Sequence, residues 1–80
     1  MKSPRSLSAK ELIKLLNVYG YDISSQKGSH IKITTQKNGE HHLAIPNHDP
    51  IKIGTLNSIL KQVAEHLDKN KEDVFKELFS

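Results

Sequence analysis

Apolar positions follow two rhythms along this chain, and the change between them divides it into elements. Leu12, Ile13, Leu16 and Tyr19 recur at the spacing of one helical face. Ahead of them, Ser8-Ala9-Lys10-Glu11 reads as a capping box, in which the serine accepts from the N3 amide and the glutamate reaches back to the Ser8 N–H. Leu7 and Leu12 hold the staple positions, and Gly20 takes the C′ place after the last turn. The spacing predicts a first helix over about residues 9–19. The period then drops to two. Tyr21 to Ser25 alternates as a half-buried strand does, residues 26–29 form a turn, and residues 30–36 alternate again. Ile31 and Ile33 face one way there, with His30, Lys32 and Thr34 the other. Asn38-Gly39 is a hairpin signal, and a third strand follows over about residues 41–45, with Leu43 and Ile45 inward and Pro46 as its stop.

After a loop at residues 47–50 the helical period returns. Gly54-Thr55 opens a second helix, with Thr55 or its neighbour as cap. Leu56, Ile59, Leu60, Val63 and Leu67 form its stripe. Residues 68–70 break the pattern, and a short third helix spans about residues 71–79, with Val74, Phe75, Leu78 and Phe79 apolar. The order helix, three strands, helix, helix describes a two-layer α+β sandwich. Its antiparallel sheet is in sequential order, with both long helices on one face. His30, Lys32, Thr34, His42 and Ala44 belong to the opposite, open face. Residues 1–6 are polar, include a proline and are expected to be loose.

Composition narrows the function. Eighty residues make one domain. Twelve Lys and Arg against nine Asp and Glu give a formal net charge of +3, compatible with a polyanionic partner without identifying one. The chain has no cysteine, which excludes a disulfide framework, a cysteine-ligated zinc site and thiol nucleophile chemistry. No apolar run approaches the roughly 20 residues of a spanning helix, and the N-terminus lacks the apolar core of a secretory signal. A soluble cytoplasmic protein is expected. Two tyrosines and two phenylalanines are few for a platform that stacks single-stranded bases.

The candidate chemistry lies at Gly28-Ser29-His30, with Lys27 and Lys32 on either side. Taken alone, these residues are most simply an ordinary turn and an ordinary first strand residue. A glycine-rich phosphate loop, a His-Glu-x-x-His pair and a two-metal acidic cluster are all missing. His41 and His42 are adjacent on a strand and so point to opposite faces, which does not suit a shared metal. No metal or cofactor is expected. One imidazole with lysines and hydroxyls nearby suits a reaction that needs only proton transfer and charge stabilisation. RNA cleavage by its own 2′-hydroxyl is such a reaction. His30 supplies the acid or base, Lys27 or Lys32 the cation, and the amides around Gly28 and Ser29 a nest for a phosphate oxygen.

Several stretches resemble the HicA (YcfA-like) toxin family. They are Gly28-Ser29-His30, Ile45-Pro46-Asn47-His48, Gly54-Thr55-Leu56 and Ile59-Leu60-Lys61-Gln62, with Ser8 to Leu12 and Gly20-Tyr21 ahead of them. The resemblance covers roughly residues 7–64 with order and spacing kept. It implies a double-stranded-RNA-binding-like fold, ribosome-independent mRNA cleavage, and a cognate HicB antitoxin that covers the active site. The histidine of the Gly-Ser-His motif is catalytic in that family, which maps to His30. His48 also falls in a matching position and reads as loop structure or a substrate contact. Asp49 departs from the glycine common in such proteins, so the loop after His48 is expected to differ in shape. Residues 65–80 lie beyond the strong likeness, either as a helix added to the core or as an antitoxin-facing surface.

The resulting expectation is a metal-independent endoribonuclease toxin occupying residues 1–80, with its core at about 7–64. Its catalytic residue is His30, and its substrate contacts are Lys27, Gly28, Ser29, Lys32 and His48. Its partners are mRNA and a HicB-like antitoxin, with neither membrane nor DNA. The alternative is a non-catalytic RNA-binding module on the same fold, reading A-form geometry through phosphate and 2′-hydroxyl contacts. A pure binder has no need of an imidazole at that turn. A helix-turn-helix DNA binder fits poorly, because strands separate the two long helices.

Overall fold

The computed structural model describes residues 7–79. Helix α1 spans Ala9–Leu16 and continues as a single 3-10 turn, Asn17–Tyr19. Its capping box is formed: the Glu11 N–H donates to Ser8 Oγ at 3.2 Å, and the Ser8 N–H to Glu11 Oε1 at 3.0 Å. Leu7 and Leu12, at the staple positions, are both fully buried. Gly20 ends the turn at φ +86°, and a Cβ there would stand 2.8 Å from Thr35 Oγ1. Glycine thus answers both a left-handed backbone and a close approach at this point. Thr35 is buried among apolar neighbours, and its hydroxyl is satisfied by donating to the Tyr19 carbonyl at 2.8 Å.

Strands β1 (Asp22–Lys27), β2 (His30–Thr35) and β3 (His41–Pro46) form an antiparallel sheet in sequential order. Ile31 lies opposite Ile45, and Ile33 opposite Leu43. These four side chains are buried and give the sheet its apolar face. The even-numbered residues His30, Lys32, His42 and Ala44 are exposed on the other face. Asn38 and Gly39 both adopt positive φ in the loop between β2 and β3, as the Asn-Gly signal implies.

The first strand departs from expectation. It runs to Lys27 rather than Ser25, and every one of its residues is exposed, Ile23 at 59%. The half-buried alternation read at residues 21–25 is therefore incorrect. Tyr21, just before the strand, carries the burial, and the register shifts between Ile23 and Ser25. β1 is an edge strand that the helical layer does not cover.

Helix α2 spans Ile53–Leu67 and α3 Lys71–Phe79. The start of α2 also differs from expectation. Lys52, with extended backbone, is the N-cap and offers no side-chain bond; the Leu56 N–H reaches its carbonyl at 2.9 Å. Thr55 lies inside the first turn and does not cap it. Leu56, Ile59, Leu60 and Val63 of α2 join α1, the sheet and Val74, Leu78 and Phe79 of α3 in one core cluster, with Leu67 packed at its margin. The architecture is α+β, helix, three antiparallel strands, helix, helix, as the pattern of the chain implies. Among the described residues, no helix is long and apolar enough to cross a membrane. The expected looseness of residues 1–6 falls outside the described residues.

Candidate active site

A two-residue turn places the candidate imidazole. Lys27 and His30 are paired across β1 and β2, with Gly28-Ser29 between them. Gly28 sits at φ +60°, at the first central position, the place that a II′-type hairpin turn reserves for glycine. A Cβ on Gly28 would meet nothing within 4 Å, so the turn needs this glycine for its backbone and not for room. Directly paired residues share a face, as do residues two apart on a strand. Lys27, His30 and Lys32 therefore stand together on the open face. The hairpin gathers five of the six residues expected at the site.

His48 stands apart from that group. Its N–H donates to the Pro46 carbonyl at 2.8 Å, and its carbonyl accepts from the Ala9 N–H at 3.0 Å. Its main chain thereby ties the loop after β3 to the start of α1. The Ile51 N–H donates to the Leu7 carbonyl at 2.8 Å and fastens the far end of the same loop. The Asn47 N–H donates to the Ser29 carbonyl at 2.7 Å, so this loop runs alongside the Gly28-Ser29 turn. The His48 ring is exposed.

His30 opens onto a groove of about 440 Å³ between the sheet and α2. His30, Ala44 and Pro46 form its sheet wall. The α2 wall presents Gly54, Thr55, Ser58 and Gln62, with Ile59 as its apolar member. These α2 residues were not singled out in the sequence as site residues. The available signal was a polar row at positions 54, 58 and 62, one helical turn apart beside the apolar stripe. His48 does not line the groove. A larger hollow of about 750 Å³ beside α3, lined by Asn70, Lys71, Glu72, Phe75 and Lys76, shares no residue with the sheet.

The other histidines differ in their engagements. His41 Nδ1 lies 2.8 Å from the Tyr21 hydroxyl, and its ring stacks on that of His66 at 4.3 Å. His66 Nε2 donates to the carbonyls of Lys37 and Gly39 at 2.9 and 3.0 Å. His42 is held at both nitrogens, Nδ1 by Thr34 Oγ1 at 2.7 Å and Nε2 by Glu40 Oε2 at 2.8 Å. Ser24 Oγ, 2.9 Å from Thr34 Oγ1, extends that chain across the open face. The hydrogen bond to His42 holds the Glu40 carboxyl below its usual range. As their positions on the strand imply, His41 and His42 serve opposite faces. Among the described residues the His30 ring has no hydrogen-bond partner, which leaves its nitrogens to a ligand. Among the described residues, no group of three or more His, Asp or Glu side chains is gathered as a metal would require.

Residues 9–64 match the profile of a protein family described as HicA toxin of bacterial toxin-antitoxin. The chain belongs to the HicA toxin family. Comparison with curated proteins and with solved structures returned no match. As a HicA-family toxin of a toxin-antitoxin system, the protein has a cognate antitoxin as its implied partner. The matched segment contains α1, the sheet and most of α2, and so both walls of the groove.

Proposed function

We propose that this HicA-family protein is an endoribonuclease that cleaves mRNA without a metal, with His30 as its proton-transfer group and a HicB-like protein as its antitoxin. One observation carries the reading: His30 is a free imidazole at the head of a groove, with two lysines on its face. The charge around it supports an anionic substrate. Lys27 and Lys32 stand on the same face as His30, and no carboxylate lines the groove. A strand of RNA is attracted there by its phosphates.

In the proposed reaction the substrate brings its own nucleophile. The 2′-oxygen attacks the adjacent phosphorus, the bond to the 5′-oxygen breaks, and the products are a 2′,3′-cyclic phosphate and a 5′-hydroxyl. A proton leaves the 2′-hydroxyl and one reaches the departing 5′-oxygen. His30 serves this transfer as base, as acid or as both in turn. Lys27 and Lys32 offset the charge that builds on the phosphate, and the amides of Gly28 and Ser29 hold one of its oxygens. The exposed His48 ring is assigned a substrate contact outside the groove and no part in the chemistry. The whole chain acts as one cytoplasmic toxin domain, with residues 65–80 as an extension of its core.

The test is chemical. A short RNA with one site of cutting is compared with the same RNA carrying a 2′-deoxy sugar at that site. Cutting should stop at the deoxy site, and the products of the all-ribose strand should carry a cyclic phosphate. Undiminished cutting of the deoxy strand would mean that the nucleophile is not the 2′-hydroxyl, and the role given to His30 would fall with it.

A further inference from the structure

The groove at His30 has more lining than a proton transfer uses. A phosphate at the His30 end leaves the α2 wall without a task, and three features indicate what fills the remainder. The first is size. At about 440 Å³ the groove sits at the small end of ligand pockets, which run roughly from 300 to 1,000 Å³. That volume accommodates a flat ring system.

The second feature is the pattern of its surface. Ala44, Pro46 and Ile59 offer apolar contact, Ser58 and Gln62 offer hydrogen bonds beside it, and no carboxylate lines the space. Gln62 Nε2 lies 3.3 Å from the Ser58 carbonyl and 3.4 Å from Ser58 Oγ, one turn back on α2. That contact steadies the amide, while Gln62 Oε1 has no partner among the described residues. An amide that shows a donor and an acceptor side by side pairs with the edge of a nucleobase.

The third feature is Gly54. It occupies the first turn of α2 with an ordinary negative φ, and a Cβ on it would meet nothing within 4 Å. Glycine is a poor helix residue, and neither backbone nor crowding requires one here. What it leaves is open space in the groove.

We infer that the groove is a base-binding subsite. The nucleobase next to the phosphate at His30 lies against Ala44 and Pro46, its edge is read by Gln62 with Ser58, and Gly54 keeps the way open. The inference rests on the ribonuclease reading of His30 and adds a determinant of which sites in an RNA are cut. Lys27 and Lys32 on the face of His30 favour an anionic strand as occupant over a neutral peptide.

The experiment takes the full chain and a pool of short RNAs with every base at each position, and maps the cut sites. The wild type should prefer a base at one position beside the cut bond. Gln62→Ala should reduce that preference by about tenfold or more at that position alone, the scale of one lost base contact. Gly54→Leu should lower kcat/KM on every RNA by about tenfold or more while its thermal midpoint holds or rises, because leucine suits a helix better than glycine. An unchanged map for Gln62→Ala, wild-type cutting by Gly54→Leu, or loss of all cutting by a folded Gln62→Ala would each overturn the subsite. So would a Gly54→Leu protein that cuts normally but no longer binds its antitoxin, since the groove would then be the antitoxin's. The two claims are separated by His30→Ala. If that variant cuts like the wild type, the catalytic role given to His30 fails. The subsite is then judged by amide NMR shifts on adding a short RNA: shifts clustered at residues 44, 54, 58 and 62 support it, and none there refute it.

Discussion

His41 lies between the Tyr21 hydroxyl and the stacked ring of His66. Burial pushes the Tyr21 phenol up to about 12, and its hydroxyl lies 2.8 Å from His41 Nδ1. Burial is also the main cause that lowers the His41 pKa, and the nearby positive charge of His66 and then His42 adds to it. A histidine lowered in the folded state binds fewer protons there than in the unfolded chain. Its contribution to stability is therefore complete above its ordinary value of 6.5 and is lost as pH falls through the lowered one. The lowered carboxyls of Glu40 and Glu77 act in the same direction, beginning only below their ordinary 4.5. Thermal unfolding between about pH 7.5 and about pH 5.5 should show the midpoint dropping on acidification, and His41→Gln should drop less. Equal slopes in the two proteins would remove His41 as the cause. The stack of His41 on His66 was not legible in the chain, because residues 25 apart meet only once α2 has docked beside the β2–β3 hairpin. The opposed directions of His41 and His42 were legible, since strand geometry alone fixes them.

Elements read well from sequence wherever the signal was local. The capping box needs only Ser8, Glu11 and the turn between them, and both of its bonds are present. Ser8→Ala should cost about 1 kcal/mol, roughly 4–8 °C in the midpoint of a domain this small. Circular dichroism melts check this, and a loss under one degree would show the cap to be idle. The Gly28 turn and the Asn38-Gly39 loop were legible for the same reason, as each requires positive φ within a few residues. The burial of β1 was not. Its alternation of Ile23 with polar neighbours is a strand pattern, but a pattern does not say whether a helix will cover the strand. The start of α2 was misplaced because Lys52 caps with its backbone alone, which leaves no residue type to recognise. The turn that carries His30 was legible, whereas the α2 wall facing it was not, since the groove exists only where α2 passes the outer side of β3.

Across the whole molecule the two ends of the chain have separate duties. The family match stops at residue 64, and the sequence left residues 65–80 as either a packing helix or a surface for the antitoxin. The structure gives α3 a packing role. Val74 and Leu78 enter the core, the Tyr19 hydroxyl donates to Glu77 Oε1 at 2.5 Å, and Lys69 Nζ to Glu77 Oε2 at 2.9 Å. Five of the nine acidic residues lie between positions 65 and 77, away in sequence from the lysine-bearing stretches at the groove. A small domain with its His30 face open is suited to inhibition by a partner that covers that face and stabilises the fold by mass action. All of this depends on the chemistry of His30. The most direct measurement compares purified wild-type and His30→Ala proteins on a long mRNA, with and without EDTA, after confirming that their thermal midpoints agree within a few degrees. Cutting should fall by about 10²–10⁴-fold in the variant, the usual share of an acid–base group, while RNA binding persists and EDTA changes nothing. A variant that cuts at the wild-type rate, or a wild type silenced by EDTA, would contradict the proposed mechanism.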